Sequence, residues 1–251
     1  MNCPRVAIFD LDDTLAESFK SPSDSVLKKL EQLLEHVPVA IMTGAGFKRM
    51  ESQFLPQLAA APHAERFYLF PNSAAQCYVH EAGVWQLAYN LAFTSEERAH
   101  IKETIQKIVD ENEVFKGIPH FGERMFDREA QVAYTPVGIE ATLEVKQTWD
   151  PGGVKRKALW QTLKQAMPEF EILLGGTTTI DITRQGINKA YGVRWLSEHL
   201  SIPTSEMFYV GDAFYDDGND AVVVPTGIIT RAVSDPSETE IIIDDLLKSC
   251  A

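Results

Sequence analysis

The sequence has few cysteines, no long hydrophobic run and no excess of basic residues. Cys3, Cys77 and Cys250 are the only cysteines among its 251 residues. They lie far apart and form no CxxC pair, so nothing indicates a zinc site, and a reducing cytoplasm is the simplest expected location. Because no run of about 18 apolar residues occurs, we expect no transmembrane helix. The chain enters a predicted strand without a basic and apolar leader, so we expect no secretory signal.

The balance of charge restricts the partners. A net charge of −13 disfavours binding to nucleic acid or to an anionic membrane, because both need a basic surface. A small anionic substrate is still compatible, since a bound metal ion and a few Lys and Arg side chains can reverse the local field. Apolar residues make up 45% of the chain, which is enough for a substantial core, and no internal repeat is visible.

Two aspartates follow the first predicted strand directly. Residues 6–9 form a short apolar run typical of a buried strand, and Asp10 and Asp12 come next. Ligands of α/β proteins bind beyond the carboxyl ends of the strands, and strand residues two positions apart point the same way. Two carboxylates so close need a counter-charge, which is usually a divalent cation. The alternative is an acidic turn that caps the following helix.

Other strand and helix ends carry polar residues. The apolar run 39–42 ends at Thr43 and Gly44, just before a predicted helix, where backbone N–H groups can approach an anion. Alone this signal is weak, because strand-Thr-Gly turns are common. Lys189 begins a later helix, and the apolar run 207–210 ends at Gly211 and Asp212. The acidic loop that follows contains Asp216, Asp217, Asn219 and Asp220.

The order of elements predicts a parallel sheet that is interrupted by a second domain. Strands separated by helices precede residue 71, as in a doubly wound parallel sheet. From 82 to 186 the pattern changes to short alternating strands and two helices, with 142–148 as a further candidate strand. We therefore expect an α/β protein. Residues 1–81 and 187–251 would form its Rossmann-like core, and 82–186 an inserted α+β domain.

These strand-end motifs together resemble the four motifs of the haloacid dehalogenase superfamily. The first is DxDxT, from Asp10 to Thr14, and the others are the Thr after strand two, the Lys that opens a helix, and Gly-Asp with a downstream Asp. Their order and separation match and span most of the chain. The place of the insert, after the third strand, resembles the type II cap of subfamily IIB.

Within that group the chain is similar to the eukaryotic-type phosphomannomutase branch. The segment from Thr179 to Lys189 resembles that branch's SxDV…GWDK segment, and 211–220 resembles its GD…GGND loop. Three positions differ. Asp217 stands where the loop has its first Gly, Asp13 stands where the branch has Gly before Thr, and Ile139 stands where the branch has a cap Arg.

The resemblance implies phosphoryl transfer through an aspartate. Asp10 would be the nucleophile that forms an aspartyl-phosphate. Asp12 would be the general acid for the leaving alkoxide and then the base for water. Thr43, Gly44 and Lys189 would bind phosphoryl oxygens, and Lys189 would also neutralise developing charge.

The resemblance also implies Mg²⁺ as the cofactor. Asp10, the backbone carbonyl of Asp12, and Asp212 would bind it, because oxygen ligands suit this hard cation. Asn219 and Asp220 would order the loop around the metal ligands. Asp216 and Asp217 stay open as direct ligands.

The resemblance assigns substrate contacts to the inserted domain, which is called the cap in that superfamily. Thr179 and Asp181 would contact substrate hydroxyls, and Arg128 would meet a substrate anion. The alternative for Arg128 is a surface salt bridge. The cap would close over a small phosphorylated substrate and exclude water. Since this branch often dimerises through its caps, a homodimer is the other partner to consider.

Three functions are compatible with these residues. We favour a Mg²⁺-dependent phosphatase of a small phosphorylated metabolite, most simply a sugar phosphate. Replacement of a cap Arg by Ile139 removes a bidentate phosphate contact that a bisphosphorylated sugar would need. The alternative is a phosphomannomutase that uses the same aspartyl-phosphate. A catalytically idle module that senses a phosphometabolite is the third, and intact Asp10, Asp12, Lys189 and Asp212 argue against it.

Overall fold

The computed structural model describes residues 2–251. Its helices are α1 (Asp24–Leu34), α2 (Phe47–Leu58), α3 (Ser95–Glu111), α4 (Leu143–Trp149), α5 (Val154–Ala166), α6 (Lys189–Leu200) and α7 (Pro236–Cys250). Its strands are β1 (Val6–Phe9), β2 (Val39–Met42), β3 (Phe67–Phe70), β4 (Gln76–Glu81), β5 (Val84–Asn90), β6 (Met125–Asp127), β7 (Val132–Tyr134), β8 (Phe170–Gly175), β9 (Thr179–Arg184), β10 (Met207–Gly211) and β11 (Ile229–Ala232).

The chain divides into two compact units. The first contains the residues up to Asn90 together with Asn188–Ala251, and the second contains Leu91–Ile187. The first unit has a seven-stranded sheet in the order β11-β10-β1-β2-β3-β4-β5. The strands from β11 to β3 are parallel, while β4 and β5 are antiparallel. The expected α/β class with a parallel-rich central sheet is confirmed.

The apolar strands of the first unit are buried because both faces of its sheet are covered. Along β1, Ala7 and Phe9 pack into one core cluster with α1, α2 and α7. Val6 and Ile8 point the other way, into a second cluster that contains side chains of α6. Since successive strand residues face opposite sides, a strand in such a three-layer arrangement must be apolar at every position.

The strand β5 belongs to the sheet of the first unit, although the sequence analysis placed it in the inserted domain that starts at 82. Ala82 and Gly83 have φ values of 50° and 81°, which a two-residue hairpin turn requires. This turn brings β5 back antiparallel along β4, from Val84 opposite Glu81 to Asn90 opposite Gln76. The second unit therefore begins at Leu91.

The second unit combines an antiparallel sheet with helices. Its sheet has the order β6-β7-β9-β8. Side chains of α3 and α5 pack with one face of this sheet in a third core cluster. The candidate strand 142–148 is instead mostly the helix α4, because Thr142 Oγ1 accepts a hydrogen bond from Val145 N at 3.3 Å and caps its start.

Two cysteines at opposite ends of the sequence form a pair. Cys3 and Cys250 make a disulfide, and their Cα atoms lie 4.9 Å apart. The scattered cysteines gave no sign of this pair, because 247 residues separate its members. In the part of the chain that the structure describes, no helix combines the length and the apolar character needed to cross a membrane.

Candidate active site

Three predicted site residues lie at one edge of the parallel sheet. Phe9, the last residue of β1, is in register with Ile41 on β2 and with Val210 on β10. Asp10, which follows β1, and Asp212, which follows β10, therefore leave neighbouring strands at the same edge. Thr43 follows β2 at this edge as well, as expected for a ligand site of an α/β sheet.

Lys189 is the central cation of this edge. Its Nζ lies 2.6 Å from Asp10 Oδ1 and 2.6 Å from Asp220 Oδ1, and its side chain is only 1% exposed. It is the first residue of α6, whose start is capped by Asn188. Burial lowers the pKa of the Lys189 ammonium, but the charges of Asp10 and Asp220 outweigh burial and raise this pKa above its usual value. Lys189 therefore stays charged.

Asp220 is fully buried and contacts the same centre. Tyr209 donates its hydroxyl to Asp220 Oδ1 at 2.6 Å, and the backbone N–H of Ala213 donates to Oδ2 at 2.9 Å. A Cβ at Gly211 would come within 2.4 Å of Asp220 Oδ2, so glycine is required there. Asp220 thus contacts the loop after β10 and also pairs directly with the lysine.

Three carboxylates could hold a cation at this edge. One oxygen each of Asp10, Asp212 and Asp220 lies within 4.8 Å of the others. Burial is the main cause that raises the pKa of Asp10 well above its usual value, and Lys189 opposes it. Burial, with the nearby charge of Asp220, raises the pKa of Asp212 to about 6. An oxygen-only donor set with excess negative charge fits Mg²⁺.

Stabilisation by Mg²⁺ is expected to increase with pH. Without metal, folded Asp212 holds its proton more tightly than the unfolded chain does, because its pKa is raised to about 6. Its contribution to folding therefore becomes less favourable as pH rises through this window. Mg²⁺ binds the ionised form and opposes this loss.

Thermal unfolding measures this effect. We expect Mg²⁺ to raise the midpoint more at about pH 7.5 than at about pH 5. Asp245→Asn, which alters an exposed carboxylate on α7, should keep the difference, and Asp212→Asn should remove it. Equal shifts at both pH values in the unmodified protein would contradict a ligand role for Asp212.

Removal of the Tyr209 hydroxyl should destabilise the fold. Tyr209→Phe leaves buried Asp220 with one donor fewer, and hydrogen bonds to charged groups contribute about 1.5–3 kcal/mol. We expect a loss of that size in the free energy of unfolding, measured in urea. Tyr191→Phe, at a half-buried position of α6, is the control. A loss below about 0.5 kcal/mol would show that the hydroxyl contributes little.

Asp12 is not part of the group of three carboxylates and pairs with an arginine. Arg49, on α2, donates from Nη1 to Asp12 Oδ2 at 2.9 Å and from Nη2 to Asp12 Oδ1 at 2.7 Å. The backbone N–H of Phe19 donates to Oδ1 at 3.0 Å. The Asp12 side chain is 27% exposed and that of Arg49 is 23% exposed.

The Thr43–Gly44 turn is supported by the loop after β3. Thr43 is buried, and its Oγ1 accepts a hydrogen bond from the backbone N–H of Ala45 at 3.1 Å. Ser73 N donates to Thr43 O at 2.8 Å, and Asn72 N donates to Ala45 O at 2.8 Å. Asn72 and Ser73 both have positive φ, so the backbone is strained at this contact.

The predicted substrate residues all lie in the second unit. Thr179 and Asp181 alternate with Ile180 and Ile182 on β9, so they share the sheet face opposite the core cluster. Arg128 follows β6 and donates from Nη1 to Gln131 Oε1 at 2.8 Å.

The remaining predicted residues differ in burial. In the loop after β10, Asn219 and Asp217 are half-buried, while Asp216 is exposed. Gly44 is half-buried beside Thr43. Ile139, which stands in place of the cap arginine, is 39% exposed.

Sequence reasoning missed three contacts of the site. They are the Arg49–Asp12 pair, the Tyr209 hydroxyl on Asp220, and the hydrogen bond from Thr14 Oγ1 to Asp212 Oδ1 at 3.4 Å. The one available signal for Arg49 was its position in the first turn of the helix that follows Thr43. Tyr209 lies in an apolar strand, and no feature of the sequence indicates that its hydroxyl donates a hydrogen bond.

Comparisons with known proteins identify the family of the chain. The family model described as eukaryotic phosphomannomutase matches residues 26–249. A phosphomannomutase of Spinacia oleracea is 22% identical over 241 residues, which cover 93% of this chain and 92% of the relative. One of Oryza sativa subsp. indica is 24% identical over 247 residues, which cover 95% of this chain and 94% of the relative.

Solved structures agree on the fold. A Plasmodium falciparum IMP-nucleotidase has a TM-score of 0.71 at 17% identity, with 98% of this chain and 69% of that chain covered. The C-terminal domain of a C. albicans trehalose-6-phosphate phosphatase has a TM-score of 0.67 at 14% identity, with 99% of this chain and 94% of that chain covered. Because the phosphomannomutase model matches nearly the whole sequence, the chain belongs to the eukaryotic phosphomannomutase family of the haloacid dehalogenase superfamily.

Proposed function

We propose that the chain transfers phosphoryl groups of sugar phosphates through an aspartyl-phosphate on Asp10, with Mg²⁺ as cofactor and a phosphomannomutase outcome. The observation that carries the transfer step is the buried Lys189 ammonium, 2.6 Å from Asp10 at the carboxyl edge of the parallel sheet. A fixed cation beside the nucleophile can neutralise the charge that a phosphoryl group brings to this edge. Family membership supports the mutase outcome.

In the proposed reaction, an Asp10 carboxylate oxygen attacks phosphorus, and the bond from phosphorus to the sugar oxygen breaks. Asp12 gives its proton to that leaving oxygen. Lys189, the Thr43 hydroxyl and the Gly44 N–H hold the phosphoryl oxygens. Asp12 then takes a proton from the acceptor hydroxyl, which attacks the aspartyl-phosphate and regenerates Asp10.

The proposed cation site uses residues of the same edge. Asp10, Asp212 and the backbone carbonyl of Asp12 would hold Mg²⁺, and Asp220 lies close enough to contribute an oxygen. When bound, Mg²⁺ supplies positive charge that favours ionised Asp10 and stabilises the phosphoryl oxygens. Asn219 and Asp220 would keep the ligand loop in place.

A phosphatase is the second candidate, and a specific position favours it. Ile139 is an exposed apolar residue where the family has an arginine for the distal phosphate of a bisphosphorylated sugar. An isoleucine cannot replace a bidentate guanidinium. With weaker retention of a bisphosphate, water would become the acceptor of the phosphoryl group.

Product analysis separates the two outcomes. We would follow mannose 1-phosphate by phosphorus NMR with Mg²⁺, with and without a hexose bisphosphate activator, and use Asp10→Asn as the blank. Conversion to the 6-phosphate with the activator supports the mutase. Release of inorganic phosphate without isomerisation supports the phosphatase. No turnover across a panel of sugar phosphates, in a folded protein that binds Mg²⁺, would contradict both.

The cap contacts and partners belong to the same proposal. Arg128 would meet a substrate anion, while Thr179 and Asp181 would meet substrate hydroxyls. A homodimer through the cap is proposed as well, and analytical ultracentrifugation measures it.

A cytoplasmic location stays a prediction. There the Cys3–Cys250 pair would be expected as thiols, because reducing systems oppose disulfides.

A further inference from the structure

We propose that Arg49 is a positioning residue that holds the acid/base carboxylate of Asp12 in its working orientation. This inference rests on the proposed function, because it takes Asp12 as the acid and base of phosphoryl transfer. Arg49 does not itself contact the reacting atoms. It would act only through Asp12. Replacing Arg49 should therefore slow the reaction most where the leaving group needs a proton.

The contacts of Asp12 are unequal on its two oxygens. Oδ1 accepts two hydrogen bonds, from Arg49 Nη2 at 2.7 Å and from Phe19 N at 3.0 Å. Oδ2 accepts one from Arg49 Nη1 at 2.9 Å. Since a carboxylate oxygen has two lone pairs, Oδ2 keeps a direction in which it can exchange a proton. The Phe19 N–H therefore distinguishes the two oxygens, and the Arg49 guanidinium, which binds both, fixes the orientation of the carboxylate.

The same arginine also contacts loop 17–20, whose Phe19 N–H binds Asp12. Arg49 Nη2 donates to Lys20 O at 3.4 Å, and Gln53, one turn further along α2, donates to the same oxygen at 2.9 Å. The Arg49 guanidinium carbon lies 5.7 Å from the centroid of the Phe19 ring. Asp13 holds this loop from its other side.

Both oxygens of the Asp13 carboxylate accept hydrogen bonds from Ser18. Its Oδ1 accepts from Ser18 N at 3.0 Å, and its Oδ2 accepts from Ser18 Oγ at 2.7 Å. Loop 17–20 is thereby tied both to the strand-end turn and to α2. Arg49 therefore fixes the carboxylate directly and through the Phe19 N–H.

This arrangement has a chemical consequence. A misplacement of about 1 Å can slow a positioned reaction about 100-fold. Asp12 lies in the turn after β1 and is partly exposed, so its carboxylate could rotate if the Arg49 guanidinium did not hold it. Proton donation matters most for a poor leaving group such as a sugar alkoxide and little for a good one such as p-nitrophenolate.

The test compares two leaving groups in single turnovers. We would measure mannose release from mannose 1-phosphate and p-nitrophenol release from p-nitrophenyl phosphate, both with Mg²⁺. For Arg49→Met we expect mannose release to slow about 10- to 100-fold and p-nitrophenol release to change less than about 3-fold. Arg49→Lys, which keeps the charge but loses the guanidinium fork, should fall between Arg49→Met and the unmodified protein.

Controls separate positioning from a structural role. Lys48→Met removes a cation from an exposed position of the same helix and should change neither rate. In an Asp12→Asn background, Arg49→Met should add no further loss. Equal slowing of both substrates by Arg49→Met, no slowing, or faster mannose release would overturn the proposal.

The outcome for Asp12 distinguishes this proposal from the proposed function. Asp12→Asn should slow mannose release selectively. If it slows both substrates equally or neither, the acid/base role of Asp12 fails, and the proposed function fails with it. If Asp12→Asn is selective and Arg49→Met is not, only the role of Arg49 is wrong.

Discussion

Replacing Lys189 by methionine is expected to lower the free energy of unfolding by about 3–5 kcal/mol and to abolish phosphoryl transfer. The change leaves the carboxylates of Asp10 and Asp220 buried beside each other without their shared counter-charge. Removal of one partner from a buried ion pair is costly because the remaining charge is neither solvated nor paired. Urea unfolding in a chelator measures the loss.

Two comparisons sharpen this prediction. Mg²⁺ should restore part of the lost stability in Lys189→Met, because a cation can replace part of the missing charge. Lys48→Met, at an exposed position, should change the free energy of unfolding by less than about 0.5 kcal/mol. If Lys189→Met were as stable as Lys48→Met, the ion pairs of Lys189 with Asp10 and Asp220 would not stabilise the fold.

Replacing Asp10 by asparagine is expected to separate activity from stability. We expect at least about a 10⁴-fold fall in kcat, which is typical for removal of a catalytic nucleophile. In the absence of metal the protein should be as stable as before or more stable at neutral pH. Burial raises the pKa of Asp10, so its ionised form opposes folding there, and asparagine removes that charge. Lys189 keeps its pair with Asp220.

Activity and unfolding should be measured on the same preparation. Single-turnover rates give the loss of phosphoryl transfer, and urea unfolding in a chelator gives the stability. A fall in stability of more than about 1 kcal/mol would contradict the assignment of Asp10 as a group whose charge is disfavoured by burial. Activity within about 100-fold of the unmodified protein would contradict its role as nucleophile.

The strand ends of the site could be predicted because local sequence determines them. Short apolar runs that end in Asp10, Thr43 and Asp212 suffice to place these residues on one edge, once the strands are parallel neighbours. Lys189 was found by its motif. Its distance from Asp10 could not be predicted, because it depends on how α6 packs on the sheet.

Other features depend on contacts distant in sequence. Arg49 looks like an ordinary surface residue of an amphipathic helix, and only the path of loop 17–20 brings Asp12 to it. β5 was assigned to the inserted domain because strand alternation does not reveal the pairing partner, whereas the hairpin turn at 82–83 determines it. Residues 142–148 alternate like a strand, but the Thr142 cap and tertiary packing favour a helix.

The most direct test of an aspartyl-phosphate on Asp10 is to locate the phosphoryl group on the protein. The reaction with mannose 1-phosphate, the hexose bisphosphate activator and Mg²⁺ would be stopped in acid, and the digested protein analysed by mass spectrometry. We expect a hydroxylamine-labile phosphate on the peptide that contains Asp10, and none in Asp10→Asn. Turnover with a phosphate on another residue, or turnover that persists in Asp10→Asn, would contradict it.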